Sequence, residues 1–292
     1  MAHEPTTSAP DWLAPLAPTE RPFDYCLLPY EPPASPDHKL PSAWALARTH
    51  ALGGATGPAA GAMVGALREA LGPGRTVWGA KLDATSGELS WELYFYRNPH
   101  QHPDLSVARV AAALAPWLRV RVPSRELPPW LMFSVAFDRA ALAGPGEGEL
   151  TVYVAEGNLA YRYAGDEVEL RNHYLFLDPR GQIEQVLTRL RHLVHASVSG
   201  PALATLLPPG PMREARHICC AAKRHHDAIY FSRVRGPQLV AELRRLGWPP
   251  ELLADLEAAA PRLDHLLWDY GYDVRRVDGA LAFERSGFYG YF

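Results

Sequence analysis

Residues 216–247 read RHICCAAKRHHDAIYFSRVRGPQLVAELRRLG, and this stretch contains one complete structural unit. Apolar side chains fall on alternate positions in 217–222 and in 228–234, which predicts two β-strands joined by the polar turn 223–227. Gly236-Pro237 then opens a helix with its leucines on one stripe, and Gly247 ends it. The unit is therefore an antiparallel hairpin followed by a helix that covers it.

The same unit recurs along the chain. We predict five hairpins, hence about ten strands, with helices between most of them. No long linker divides them, so we expect one α+β domain over residues 42–292. The other predicted hairpins are 76–96, 131–156, 159–177 and 270–285; the predicted helices are 42–51, 61–71, 104–118, one beginning at Asp178-Pro179, and 250–260; and residues 287–292 follow as an aromatic tail.

Each hairpin has one apolar face and one mixed face. An apolar face needs cover, which the helices supply, whereas a mixed face tolerates water or a ligand. Closure of the hairpins into an antiparallel β-barrel would remove the edge strands and turn the mixed faces toward a lumen wide enough for a ligand. An open sheet with helices on one face and solvent on the other remains the alternative. In the first hairpin the apolar set is Trp78, Ala80, Leu82, Trp91, Leu93 and Phe95, and the mixed set is Lys81, Asp83, Glu92, Tyr94 and Tyr96.

Composition excludes several classes of protein. The chain has 292 residues, 48% of them hydrophobic and 21% charged, with a net charge of −3. A weak negative charge favours neither nucleic acid nor an anionic membrane as a partner. Three cysteines do not make a disulfide framework, and we see neither a signal peptide nor an apolar run of membrane-spanning length. We therefore expect a cytoplasmic protein.

Residues 1–41 form a proline-rich N-terminal arm with scattered aromatic residues, among them Trp12, Phe23 and Tyr30. Such a composition is typical of a segment that is partly disordered and partly laid on the domain. Alternatively, its aromatic residues cover one mouth of a cavity.

Three short stretches resemble the aromatic prenyltransferases of the ABBA type. They are WELYFY at 91–96, DAIYFSR at 227–233 before a leucine-rich helix, and SGFYG at 286–290. They are most similar to the cyanobactin branch of that family, and the pattern covers roughly residues 60–292. The resemblance implies a ten-stranded barrel ringed by helices, and transfer of an isoprenoid from its diphosphate to an aromatic ring or a peptide side chain in secondary metabolism. It also implies magnesium, which would be held through the diphosphate because no D-D-x-x-D cluster is present.

Inward lysines and tyrosines suit an allylic diphosphate. Ammonium groups neutralise the departing diphosphate, and tyrosines donate hydrogen bonds to it or shield a carbocation with their π faces. We predict these roles for Lys81 and Lys223 with Tyr94 and Tyr230. The alternative is that both lysines are solvated charges at strand ends. Tyr96 and Ser232, on the same faces, complete the predicted substrate-binding set.

Glu92 shares the face of Tyr94 in an otherwise aromatic and aliphatic strand. A carboxylate there can orient an acceptor and take its proton, which is the catalytic role we predict. The alternative is that Glu92 is a structural partner for a lysine or arginine.

The histidines have no companions at metal-ligand spacing, and no phosphate-binding glycine loop or G-x-S-x-G is present. We therefore predict no protein-held metal.

Three functions stay open on the residues alone. The first is the prenyl transferase that the resemblance implies. The second is a non-catalytic protein that holds an apolar or aromatic small molecule in its lumen. The third is an assembly partner of a biosynthetic complex, docking through the arm and the aromatic tail.

Overall fold

A computed structural model describes residues 11–17, 21–54 and 58–292, and within them the chain forms eleven strands and ten α-helices. The strands are β1 Val77–Asp83, β2 Leu89–Tyr96, β3 Leu118–Val120, β4 Met132–Asp138, β5 Gly146–Val154, β6 Leu159–Ala164, β7 Glu167–Leu177, β8 Ile218–Lys223, β9 Asp227–Arg235, β10 Leu267–Val277 and β11 Ala280–Tyr291. The helices are α1 Ala43–Leu52, α2 Pro58–Leu71, α3 Val107–Leu114, α4 Arg139–Ala143, α5 Pro179–Arg191, α6 Leu203–Leu206, α7 Pro209–Glu214, α8 Gly236–Arg245, α9 Pro250–Ala258 and α10 Ala260–Leu263.

Ten of the described strands close into an antiparallel barrel. Neighbours around it run β5-β4-β2-β1-β11-β10-β9-β8-β7-β6, and β6 pairs back onto β5 with Leu150 opposite Tyr163 and Val154 opposite Leu159. Because every barrel strand then has two neighbours, the ring has no free edge. The predicted α+β fold, with five hairpins closed into a barrel and helices around it, is confirmed.

The apolar faces point outward beneath the helices, as the alternation predicts. Trp78 and Phe95 are fully buried, and the indole of Trp91 donates to Thr49 Oγ1 of α1 over 3.0 Å. The core therefore lies between barrel and helices, and the mixed faces line the lumen. In the part of the chain that the structure describes, no helix is long and apolar enough to cross a membrane.

The predicted helix 104–118 is too long. Ser106 caps α3 by accepting from the Arg109 amide over 3.2 Å, and the helix ends at Leu114, since Pro116 cannot continue it. Residues 118–120 instead form β3, which pairs in parallel with β5 at Gly146–Gly148, beyond the part of β5 that belongs to the barrel. A strand of three residues is too short to show a periodic pattern in the sequence.

The aromatic tail also needs correction. Residues 287–291 continue β11, which pairs with β1 from Asp83 opposite Arg285 to Val77 opposite Tyr291. Glycines at 287 and 290 interrupt the apolar alternation there, so the predicted end of the strand at residue 285 is too early. The tail proposed for docking on another protein is thus part of the barrel wall.

Parts of the N-terminal arm, residues 1–10 and 18–20, lie outside the described residues. Trp12 and Leu16 of the described part are buried against the domain. Residues 23–30 form a loop that lies across one end of the barrel, where Leu27 is 1% exposed. In the described part of the arm, residues 23–30 therefore cover one mouth of the lumen, while Trp12 and Leu16 lie on the domain.

Candidate functional site

The middle of the lumen is lined by tyrosines. We call seven of them the tyrosine cluster. Tyr25 of the arm reaches into it, with its ring centroid 4.7 Å from that of Tyr289 and 5.4 Å from that of Tyr94. Edge-on contacts of this kind are the favoured geometry for aromatic pairs. The members of the cluster are Tyr25, Tyr94, Tyr96, Tyr153, Tyr174, Tyr230 and Tyr289.

Inward glycines make room for these rings. A Cβ on Gly79 would stand 2.7 Å from the Tyr289 ring, and one on Gly271 would stand 2.3 Å from Tyr230 Cδ1. Real carbon atoms in contact stand roughly 3.5–4.0 Å apart. The rings therefore lie flat against bare backbone, and a side chain at either glycine would displace them.

Burial keeps the tyrosine hydroxyls protonated. It is the largest influence on Tyr94, Tyr230 and Tyr289, and it raises the pKa of each well above 10. It also raises the pKa of the less buried Tyr153 to about 12. Near neutral pH the cluster therefore offers neutral hydrogen-bond donors and π faces, and no phenolate nucleophile.

One end of the lumen is ionic, and we call its residues the charged mouth: Lys81, Glu92, Lys223, Asp273 and Arg285. Lys81 donates to Glu92 Oε2, and the Tyr94 hydroxyl donates to the same oxygen over 2.9 Å. Burial alone would raise the pKa of Glu92, but the charge of Lys81 and the hydrogen bonds it receives outweigh burial and lower it. Glu92 is therefore an ionised acceptor at neutral pH.

A second ion pair lies across the mouth. Lys223 Nζ is 2.6 Å from Asp273 Oδ1 and 5.7 Å from the Tyr230 ring centroid, and His226 Nε2 is 3.0 Å from Asp273 Oδ2. Burial opposes ionisation of Asp273, yet Lys223 and His226 hold its pKa well below the ordinary value. The lysine thus bridges a carboxylate and the edge of the tyrosine cluster.

Both lysines open on one small pocket of about 40 Å³, together with Arg285, Tyr230 and Tyr289. The chain has only three lysines, and the third, Lys39, pairs with Asp264 on the outside. Two of three lysines therefore converge on one end of the lumen, beside an exposed arginine.

The opposite end, the arm mouth, holds residues 23–30 against His217, Ser232, Arg233 and Asp269. A cavity of about 90 Å³ remains there beside Tyr25, bounded by Met132, Tyr153 and Cys219. Ligand pockets usually hold roughly 300–1,000 Å³. The lumen is thus mostly filled by its own side chains, and Tyr25 takes up much of the space.

The structure brings together five of the residues singled out from the sequence: Lys81, Glu92, Tyr94, Lys223 and Tyr230. Their roles stay predictions. Neither lysine is a solvated turn charge, since their side chains are 21% and 17% exposed and each is paired with a carboxylate.

Tyr96 and Ser232 lie at the arm mouth instead. The Ser232 hydroxyl accepts from the His217 amide over 2.9 Å, and Tyr96 packs on Tyr25 with ring centroids 5.6 Å apart. They therefore line the same lumen as the other five, at its other end.

Sequence reasoning missed Asp273, Arg285 and Tyr289. A period-two reading carried to residue 291 places 269, 271 and 273 on the lumen face of β10 and 285, 287 and 289 on that of β11. The signal was present, but it was obscured by the inward glycines at 271 and 287.

No three His, Cys, Asp or Glu side chains gather to hold a metal in residues 11–17, 21–54 and 58–292. At the charged mouth, Glu92 and Asp273 are each paired with a lysine. This donor set does not fit a protein-held magnesium ion, which prefers free carboxylate and water oxygens.

The sequence matches no protein-family model, and a search of curated proteins finds no match either.

Proposed function

We propose that this protein is a transferase that moves an isoprenoid group from an allylic diphosphate to an aromatic ring or peptide side chain in the barrel lumen. The observation that carries the proposal is the pocket shared by Lys81, Lys223, Arg285, Tyr230 and Tyr289. The cationic side chains there suit a diphosphate, and the aromatic faces beside them suit a carbocation, which supports the proposal.

The donor would exchange ion-pair partners on binding. Its diphosphate oxygens would accept from the ammonium groups of Lys81 and Lys223, which now donate to Glu92 and Asp273. Charge-assisted contacts to phosphate are among the strongest hydrogen bonds in proteins. Asp273 would keep His226 as a partner, and Glu92 would keep Tyr94, so neither carboxylate would be left without a donor.

The bond changes balance without a further reactant. The allylic C–O bond breaks and its electron pair leaves with the diphosphate. The acceptor supplies the pair for the new bond to carbon, and its proton passes to Glu92, which is ionised at neutral pH. Tyr94, Tyr230 and Tyr289 would shield the intermediate cation from water.

The test is to incubate the protein with labelled dimethylallyl and geranyl diphosphates, with and without magnesium, against phenols, indoles and cyclic peptides. We expect a labelled product from at least one pair. Absence of product, together with no protection of the protein from thermal unfolding by the diphosphates, would overturn the proposal.

The three lysines provide a matched control. Lys81→Ala and Lys223→Ala should each lower the rate by roughly 100-fold, because each removes one charged contact to the departing diphosphate. Lys39→Ala removes a lysine paired on the outer surface and should leave the rate unchanged. Equal effects of all three substitutions would contradict the assignment.

A second candidate is a non-catalytic protein that holds an apolar or aromatic small molecule. It is favoured by the pairing of both lysines with carboxylates and by the aromatic cavity of about 90 Å³. On this candidate, Lys81→Ala and Lys223→Ala leave affinity nearly intact. Ala221→Trp abolishes it, because Ala221 is fully buried on the lumen face opposite Tyr174.

A further inference from the structure

The loop that closes the arm mouth is organised by its own contacts. The Asp24 carboxylate accepts from the amides of Cys26 and Leu28 over 2.9 Å each, and Phe23 forms a β-bridge with Pro29. Leu27 has φ 57°, a left-handed conformation that tightens the turn. The loop therefore holds much of its shape without help from the barrel.

Side chains make the hydrogen bonds between the barrel and this loop. In the part of the chain described, every hydrogen bond between residues 23–30 and the barrel strands involves a side chain, and no ladder of backbone bonds joins them. A strand of the wall, by contrast, is held by backbone bonds along both sides. The loop is thus held on the barrel by side-chain contacts and is not a strand of its wall.

Arg233 recognises a carboxylate and two carbonyl groups. Its guanidinium donates to Asp24 Oδ2 over 2.9 Å from Nε, with the second nitrogen at 2.8 Å, and reaches the carbonyl oxygens of Leu28 and Pro29 at 3.4 and 3.3 Å. This two-pronged contact with a carboxylate is specific to arginine. The Asp24 side chain is only 4% exposed, so the contact is dry.

Asp269 recognises the next residue along the loop. Its Oδ2 accepts from the Tyr25 amide over 2.6 Å, while its Oδ1 accepts from the Arg233 amide over 3.0 Å. Arg233 has φ 62°, a left-handed conformation that costs a non-glycine residue roughly 1–3 kcal/mol. The wall is therefore strained at the residue that receives the acidic side chain, as is common at binding sites.

The pocket beyond is larger than its occupant. The Tyr25 ring packs on Tyr94, Tyr96 and Tyr289, and about 90 Å³ remains open beside it. An aromatic side chain held at this position therefore has open space beside it.

We infer that the arm mouth is a recognition site for a peptide segment in which an acidic residue precedes an aromatic one, and that residues 24–26 occupy it as a displaceable intramolecular ligand. Arg233 binds the acidic side chain, Asp269 binds the amide of the aromatic residue, and the tyrosine cluster receives the ring. The inference goes beyond the proposed transferase and does not depend on it, because it concerns binding at the other end of the lumen.

The test uses the full chain with both loop anchors removed, Asp24→Ala with Tyr25→Ala, and a fluorescent peptide of residues 21–30 carrying Cys26→Ser. We expect the variant to bind the peptide and the wild type to bind it roughly 100-fold more weakly, because the tethered loop competes at an effective concentration near millimolar. Peptides with the acid changed to asparagine, or the tyrosine to alanine, should bind at least roughly tenfold more weakly. Arg233→Lys in the variant background should weaken binding similarly, since lysine lacks the fork.

Equal binding by wild type and variant, or no binding by a variant with wild-type circular dichroism, would overturn the inference. If the variant does not fold, hydrogen exchange of the wild type decides the question. A displaceable loop requires the amides of Tyr25, Cys26 and Leu28 to exchange well before those of β9 and β10. Exchange of the loop at the rate of the strands would show a fixed part of the wall and would overturn the inference.

Discussion

A methyl group on the lumen face of β10 tests the packing on which the site depends. In Gly271→Ala the new Cβ would lie 2.3 Å from Tyr230 Cδ1 and 2.9 Å from the carbonyl oxygen of Ile229. The Tyr230 ring would have to withdraw by roughly 1 Å or more to restore normal contact. The carbonyl belongs to the neighbouring strand β9, so it has little freedom to move.

The expected loss of stability follows from two opposing terms. Overpacking a well-filled site costs about 1–3 kcal/mol, and the backbone contact places this one near the upper end. Replacing glycine returns roughly 0.5–1 kcal/mol by restricting the unfolded chain. We therefore expect Gly271→Ala to lower the free energy of unfolding by about 2 kcal/mol.

Urea unfolding at 25 °C measures the change as a lower midpoint at unchanged slope. Gly65→Ala is the matched control, since Gly65 is exposed in α2 with no atom near its Cβ, and it should stabilise by about 0.5–1 kcal/mol. Adding Gly271→Ala to Tyr230→Ala should cost less than Gly271→Ala costs in the wild type, because the ring is already gone and only the contact with the Ile229 carbonyl remains. A Gly271→Ala midpoint equal to that of the wild type would refute the placement of the ring against this backbone.

Three further changes have definite expected outcomes. Burial lowers the pKa of His50 from 6.5 to about 4, so the unfolded chain takes up a proton at a higher pH than the folded protein does. The contribution of His50 to the free energy of unfolding is therefore fully present above pH 6.5 and falls by about 2 kcal/mol by pH 5. His50→Leu should remove this loss, as measured by urea unfolding at both pH values. Asp227→Ala leaves the amides of residues 194–196 without their acceptor and should lower stability by about 3 kcal/mol, seen as a clear drop in melting temperature; an unchanged melting temperature would contradict it. Lys223→Met breaks a largely buried ion pair and should lower the free energy of unfolding by about 3 kcal/mol. Lys39→Met removes a lysine whose partner is half exposed and should lower it by less than about 1 kcal/mol. Similar losses for the two variants in thermal melts would be inconsistent with the burial of the first pair.

The hairpins could be predicted because strand alternation is a local property. Trp78, Ala80 and Leu82 alternate with Lys81 and its neighbours, and a pleated strand must place the two sets on opposite faces. The same logic located Lys81 and Lys223 on the lumen side. It failed where glycine stands on the inner face, as at Gly271 and Gly287, because a residue without a side chain gives no pattern.

Long-range partners could not be predicted. No local pattern around Lys81 or Lys223 predicts that both open on one pocket. Nor does it predict that Lys223 pairs with Asp273, which lies 50 residues further along the chain. The arm shows the same limit, since the contact between Asp24 and Arg233 joins residues 209 positions apart. Such pairs depend on how the strands are ordered around the ring.

The order of residues alone sets which faces of the hairpins are apolar, so helices must cover those faces while polar and aromatic residues share the other side. The folded chain was needed to show that β5 and β6 meet to close the ring, that the lysines converge at one end, and that Tyr25 fills the other. The physical reason is that alternation is written into neighbouring residues, whereas closure and convergence depend on contacts between residues far apart in the chain.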